Sequence, residues 1–418
     1  MEELMYFVWQ QRMLTHIATL DGQPLDVVHP GLRNLDAGPD FFNAKLRMDG
    51  IVLAGNVEMH VKASDWYRHH HDTDRAYDSV ILHVVMEADT QIYLHNGAEL
   101  RTVVMTIPDD VMKRYSQLMS GRAMPLLPGQ IPSYSNISCT SQLCNVPTLI
   151  LHDWLTALCT QRMISKMQRV TDIIEGQMQA LNEAFYIILT RSLGTGVNSD
   201  AMERLARSLP YRCLLHHKDN LLQLKALLLG QAGLLMTQDA VLKPAAEQQE
   251  WQLMQREYAF LRQKFQLTPI PTMAWKLGRI RPAAHPEERL KALALLLYTH
   301  RDLQSEVLEA KTLVQMEKVL SVKGLGKQTV RSLIINAVVP MLLSFARWHG
   351  NEEHSEQALG LLEELPAEEN RYIKQWRDAG IEVRSAMDSQ ALLQLTLNYC
   401  QPHKCLRCRI GCWLLRQR

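Results

Sequence analysis

Two neighbouring stretches in the first part of the chain alternate strictly between apolar and polar residues. In the first, Phe42, Ala44, Leu46 and Met48 alternate with Asn43, Lys45 and Arg47; in the second, Val57, Met59 and Val61 alternate with Glu58, His60 and Lys62. A period of two belongs to strands, whose successive side chains point to opposite faces. Asp49-Gly50 between them is a two-residue hairpin turn signal. Folding there pairs Met48 with Ile51, Leu46 with Leu53 and Phe42 with Val57, all apolar on both sides. The same register sets Glu58 opposite Phe41, on the face shared with Asn43, Asn56, His60 and Lys62, and leaves Asp40 opposite Met59 on the other face. Asp40 joins Glu58 only if the chain bends or bulges just after Pro39.

Around this hairpin the pattern predicts an α+β domain over residues 1–135. Leu4, Phe7, Val8, Gln11 and Leu14 have helical spacing, giving a helix from residue 1 to about 20 before the turn Asp21-Gly22-Gln23-Pro24. Ala63 to Arg75 reads as a polar connection, and Ser79–Glu87, Gln91–His95 and Thr102–Ile107 as further strands. The Pro, Ser and Gly-rich segment 120–147 reads as a linker or long surface loop. A helical domain over 136–399 follows, with apolar residues at spacings of three and four in Leu149–Met163, Val170–Ser192, Asp200–Leu209, Asn220–Leu229, Trp251–Leu267 and Glu288–Leu297. Trp275 to Pro282 is a basic, aromatic-led break, and Glu352–Glu369 a solvated helix face. Residues 400–418 form a cysteine-rich tail. There is no internal repeat and no low-complexity tract.

An apolar content of 47% in 418 residues is that of a folded protein with a sizeable core. The formal charge of +1 neither requires nor excludes nucleic acid as a partner. The start Met1-Glu2-Glu3-Leu4 lacks the positive charge of a secretory signal, and no uninterrupted apolar run reaches membrane-spanning length, so a cytoplasmic protein without a membrane anchor is expected. In that compartment eight cysteines are thiols or metal ligands before they are disulfides.

Pro39-Asp40 followed by Glu58-Met59-His60 and Lys62 resembles the metal-dependent nuclease superfamily named for its PD-(D/E)XK pattern. The resemblance implies that Asp40 and Glu58 hold Mg²⁺ or Mn²⁺ and that a basic residue activates water beside a scissile phosphodiester. His60 stands where the lysine of the pattern usually does. Either His60 is the base or a further ligand, or Lys62 reaches back along the same face, so the catalytic set is Asp40, Glu58, His60 and Lys62. A solvated sheet face would show the same alternation. Eight of the 16 histidines precede residue 100. The run His69-His70-His71-Asp72 reads as an exposed loop, yet one of its members could converge with His60 and His83 on a transition metal if their strands are neighbours. His83, in mid-strand, is either a ligand or a hydrogen-bonded core residue.

The densest chemical signal is Cys400-x4-Cys405-x2-Cys408-x3-Cys412, with His403 inside it. Four thiols this close suit tetrahedral Zn²⁺ or an iron–sulfur cluster. If Cys412 faces away along a helix, His403, Cys139 or Cys144 could complete the shell. Upstream, Lys323-Gly324-Leu325-Gly326-Lys327-Gln328-Thr329 resembles the hairpin of helix-hairpin-helix DNA-binding units, and with the cysteines behind it the base-excision glycosylases, although no lysine–aspartate pair follows at the distance those enzymes use. Lys323 and Lys327, with Arg279 and Arg281, are the candidate phosphate contacts.

Ala37–Phe41, Gly55–Trp66, Val80–Val85, Leu181–Tyr186, Gly230-Gln231-Ala232-Gly233, Trp275–Pro282 and Tyr399–Gly411 together resemble a family of bacterial proteins described as a domain of unknown function, over nearly the whole chain. The PD-(D/E)XK resemblance implies metal-dependent hydrolysis of nucleic-acid phosphodiesters. The alternative is a non-catalytic nucleic-acid-binding or scaffold protein stapled by a zinc or iron–sulfur site.

Overall fold

The computed structural model describes residues 1–14, 17–20, 22–119, 137–174, 181–236, 244–278 and 280–417. They pack as two units, Met1–Trp154 with Thr396–Arg418, and Leu155–Leu395. The first is α+β and the second is helical. Of the segment 120–147, residues 120–136 lie outside the described residues, while Thr140–Asn145 form a 3-10 helix.

The first unit is built on a seven-stranded mixed sheet of β1 (Ile17–Ala18), β2 (Pro24–His29), β3 (Leu32–Arg33), β4 (Phe41–Met48), β5 (Ile51–Lys62), β6 (Val80–Glu87) and β7 (Thr102–Val104). The order is β1-β2-β4-β5-β6-β7, with β3 paired to the start of β4. β4 and β5 are the antiparallel hairpin, and β6 and β7 add on in parallel. Met48 pairs with Ile51 and Leu46 with Leu53, as the alternation requires. Further along, the expected pair Phe42–Val57 is replaced by Phe41–Val57, because the register shifts between Phe41 and Ala44. Asn43 takes a left-handed conformation there, φ 54°, and its N–H donates to Asn56 Oδ1 at 3.2 Å. One extra residue on β4 therefore swings Asp40 from the Met59 side to the Glu58 side. The bulge lies at Asn43, not immediately after Pro39.

Helix α1 (Glu2–Gln10) buries Leu4, Met5, Phe7, Val8 and Trp9, and the Trp9 indole donates to Pro30 O at 2.9 Å. It is half the predicted length. Arg12 adopts φ 50° and the chain closes with Met13 N to Val8 O and Arg12 N to Trp9 O, a left-handed helix stop that the apolar spacing of Leu14 does not report. Gln91–His95 does not enter the sheet. It forms a single bridge, Tyr93 to Glu99, around the Asn96-Gly97 turn, while Ile92 and Leu100 bury with Trp66, Tyr77, Val80 and Val85. The connection after β5 contains the short helix α2 (Asp65–Arg68), in which Asp65 and Trp66 are buried.

Ser199–Ser208, Leu221–Gln231 and Pro286–Thr299 lie within a few residues of the predicted helices, whereas Thr148–Ile174 runs past the predicted end at Met163 and Leu181–Leu193 begins inside the span Val170–Ser192 expected as one helix. Gly230-Gln231-Ala232-Gly233 is a structural knot. The buried Gln231 amide donates to Ser208 O, Ser208 Oγ and Thr268 O and accepts from the Tyr258 hydroxyl. A Cβ on Gly230 would fall 2.1 Å from the Tyr258 ring, so the closest helix contact admits only glycine. The Trp275 indole donates to Ala232 O at 2.8 Å, which explains the aromatic that leads the basic break. Among the described residues one helix, Lys327–His349, is long and apolar enough to cross a membrane, although polar residues interrupt it, and 67% of its apolar window is buried inside the protein. Its three parts, Lys327–Leu333, a π-helical turn Ile334–Val338 and Val339–His349, are continuous.

Candidate metal centre

Glu58, His60 and His83 point to one face because Glu58 and His60 alternate along β5 and His83 is the parallel partner of Glu58 on β6. All three are buried. Asp40 reaches them through the bulge: its N–H donates to Glu58 Oε2 at 2.9 Å, and its Oδ2 accepts from Met59 N–H at 2.9 Å. Glu58 Oε1 is left facing the histidines.

Two of these come from the end of α2, which closes in a Schellman arrangement. His71 N bonds to Trp66 O and His70 N to Tyr67 O, with His70 at φ 60°. The left-handed residue reverses the chain, so that His69 and His71, on either side of it, both turn back onto His60. His69 Nδ1 lies 3.2 Å from His60 Nε2, Glu58 Oε1 lies 3.6 Å from the same nitrogen, and His71 Nε2 lies 3.4 Å from Glu58 Oε1. Ring nitrogens of His60, His69 and His71 all fall within 4.8 Å of one another. Four donors bound tetrahedrally at about 2.0–2.1 Å are separated by about 3.3–3.4 Å. Three of the six edges of such a set, His60–His69, Glu58–His60 and Glu58–His71, lie within a few tenths of an ångström of that figure.

Neighbouring rings hold the ligands in place. His71 stacks on Tyr77 with centroids 3.9 Å apart, and on His60 at 5.3 Å. Trp66 packs against both His71 and His83. His60 Nδ1 lies 2.9 Å from His83 Nε2. Ligation through His60 Nε2 requires the proton on Nδ1, donated to His83, the outer support that metal-binding imidazoles usually have. Among the described residues, His83 Nδ1 and the Trp66 indole N–H are buried without a hydrogen-bond partner.

Burial, reinforced by His71 and His69, pushes the His60 imidazole down to about 3, and burial with His60 as neighbour does the same to His83. Both rings are neutral near pH 7 and keep a lone pair to offer. Burial, followed by the charge of Glu58, pushes the Asp40 carboxyl up to about 7. The Tyr6 hydroxyl, bonded to Asp40, is raised by burial and by that carboxylate. His69 is exposed, so the centre opens to solvent on its side.

Asp40, Glu58 and His60 of the sequence-derived set thus come together. His83 stands behind His60 and not at the point of convergence. Lys62 does not join: it is exposed at the end of β5 and paired with Glu87 at 3.1 Å. Tyr6, Trp66 and Tyr77 carry no motif signal, and His69 and His71 were visible only as members of a histidine run. Cys400, Cys405, Cys408 and Cys412 lie in the same unit but not in this centre. In the second unit Arg281 is exposed beside the 3-10 turn Pro282–Ala284, and Lys323 and Lys327 are exposed around Gly324, with Lys327 3.7 Å from Glu317. Arg279 lies outside the described residues.

A family model described as "Protein of unknown function (DUF2851)" matches residues 2–324 and 318–371. The histidine centre falls inside the matched span and the cysteine tail beyond it. No curated protein and no solved structure matches the chain.

Proposed function

The chain belongs to the family described as "Protein of unknown function (DUF2851)", and within it we propose that the first unit is a metal-dependent hydrolase of nucleic-acid phosphodiesters, its ion held by Glu58, His60, His69 and His71. The observation that supports this reading is the convergence of the His60, His69 and His71 ring nitrogens within 4.8 Å of one another, with Glu58 Oε1 3.6 Å from His60 Nε2 and 3.4 Å from His71 Nε2. Three nitrogens favour Zn²⁺ or another imidazole-binding transition metal over Mg²⁺, which prefers oxygen donors and keeps its waters. Such an ion supplies an activated water and polarises a phosphoryl oxygen. Asp40 fixes Glu58 by its backbone N–H and adds the second carboxylate of the PD-(D/E)XK pattern. That pair on adjacent strands of a hairpin supports a phosphodiester as the substrate. Exposed His69 gives the ligand whose displacement would admit it.

A second reading rests on the donor count. Four protein donors are what a structural zinc site presents, and a hydrolytic site keeps one position open. The first unit would then be a metal-stabilised binding module.

One experiment separates them. The full chain would be analysed for bound metal and incubated with mixed DNA and RNA under Zn²⁺, Mn²⁺ or Mg²⁺, beside Glu58→Gln and His71→Ala. The hydrolase reading expects stoichiometric metal and cleavage that falls on the order of 10²-fold or more in both variants. Metal without cleavage by the wild type leaves the structural reading. Cleavage undiminished in both variants would place the activity elsewhere.

A further inference from the structure

The second unit buries a cation without supplying its counter-charge. Arg289, on the helix Pro286–Thr299, is 5% exposed. Its Nη1 donates to Thr329 Oγ1 at 2.9 Å, and its Nε is buried without a hydrogen-bond partner. Burial alone lowers its pKa, since among the described residues no carboxylate stands near enough to oppose the shift. The acids of its own helix are engaged elsewhere, Glu287 and Glu288 with Lys291 at 2.7 and 3.0 Å. A guanidinium held out of water in this way is costly until an opposite charge joins it.

The position of this guanidinium adds to that cost. Thr329 stands in the first turn of the continuous 23-residue helix Lys327–His349, whose N-terminal end carries positive partial charge. Arg289 is repelled by that end, whereas an anion is attracted by both. The N-cap is Gly326, which has no side chain to accept from the first turn. Thr329 N–H and Val330 N–H both reach Gly326 O, at 2.8 and 3.1 Å, and this leaves the N–H groups of Lys327 and Gln328 to a ligand or to solvent.

The turn before the helix is seated by the element that carries Arg289. Leu325 N–H donates to Val322 O at 3.1 Å, and Gly324 takes φ 97°, where a Cβ would meet that of Ala292, one turn beyond Arg289, at 3.4 Å. Lys323, Gly326, Lys327 and Gln328 are exposed around the open end. Glu317, 3.7 Å from Lys327 Nζ, is already bonded by Arg331 Nε at 2.8 Å. A tetrahedral oxyanion accepts from several converging N–H groups and brings the charge that Arg289 lacks. We propose that the N-terminal end of Lys327–His349, with Arg289 beside its first turn and Lys323 and Lys327 at its rim, binds a phosphate group, carried either on a nucleic-acid backbone or on a small ion. The site lies in the second unit and does not rest on the hydrolase reading of the histidine centre.

The full chain would be titrated with inorganic phosphate, read by the unfolding midpoint, and with a fluorescent phosphorothioate duplex, read by anisotropy. That duplex keeps the backbone charge and resists cleavage, so activity at the histidine centre does not enter the reading. Arg289→Gln keeps a donor for Thr329 without the charge and should weaken binding on the order of tenfold or more. Gly326→Asp has open space for its side chain, and its carboxylate should take the free N–H groups, raise the midpoint and abolish binding. This second variant decides the matter even where Arg289→Gln fails to fold. Duplex binding that both variants weaken and phosphate competes away identifies a nucleic-acid backbone. A midpoint raised by phosphate without duplex binding identifies a small phosphate ligand. Failure of the wild type to bind either probe, or binding left unchanged by Gly326→Asp or by soluble Arg289→Gln, overturns the assignment.

Discussion

Replacing Lys166 by methionine is expected to abolish a pH dependence in the stability of the second unit. The half-buried Lys166 ammonium donates to Gln390 Oε1 at 2.6 Å, Asn336 Oδ1 at 2.8 Å and Ile335 O at 3.5 Å. Arg162 Nε donates to the same Gln390 oxygen at 2.7 Å, so two cations share one neutral acceptor. Burial and then Arg162 lower the Lys166 pKa from 10.5 to about 7. Between those values the unfolded chain holds one proton more than the folded one. Stability from this group is therefore fully present above the unfolded pKa and lost as pH falls through 7. At 1.36 kcal/mol per unit, raising the pH from 7 to 9 adds roughly 2–3 kcal/mol. Lys166→Met removes that gain and leaves Asn336 Oδ1 and Ile335 O without this donor, a pH-independent cost of about 1–3 kcal/mol. Urea unfolding at pH 7, 8 and 9, followed by hydrogen exchange of the Lys327–His349 amides, reads the second unit alone. The wild-type advantage over the variant should grow by roughly 2–3 kcal/mol across that range; a constant difference would show that Lys166 keeps its proton in the fold.

Two further outcomes concern the backbone that assembles the histidine centre. Asn43→Val puts a β-branched residue at φ 54° and is expected to lower stability by about 1–2 kcal/mol and weaken metal retention, while Asn43→Gly is neutral or better, as denaturant midpoints with unchanged m values would show. His70→Gly relaxes the left-handed residue between two ligands and should add about 0.5–1 kcal/mol with metal content unchanged; loss of metal would mean that the His70 imidazole itself takes part.

What could be read in the sequence was what short-range periodicity encodes. The hairpin was legible because its period of two and its Asp-Gly turn are local. Ser199–Ser208, Leu221–Gln231 and Pro286–Thr299 were legible to within a few residues because spacings of three and four persist over several turns, whereas the bounds of Thr148–Ile174 and the short helices after residue 300 were not. The bulge at Asn43 was not, since a one-residue register shift leaves both halves of the alternation intact and the only residue-level hint is an asparagine that tolerates positive φ. The end of α1 was missed for the same reason, because Arg12 reverses the chain without glycine. The helix Lys327–His349 contains Asn336 and Pro340. The π-helical turn Ile334–Val338 stands immediately before the segment that holds Pro340, where the ladder already departs from the α pattern, and the chain passes both residues without breaking.

For the centres the division is between sharing a face and finding a partner. Alternation was enough to place Glu58 and His60 together, but not to say that β6 would lie beside them in parallel and bring His83 to His60, or that a Schellman turn would fold His69 and His71 back. In the PD-(D/E)XK pattern the informative residue was the one that departed from it. A lysine at position 60 would have suited a site of hard oxygen ligands. The buried histidine there stands beside Glu58 and among three other imidazoles, while the next lysine along the strand, Lys62, is committed to Glu87.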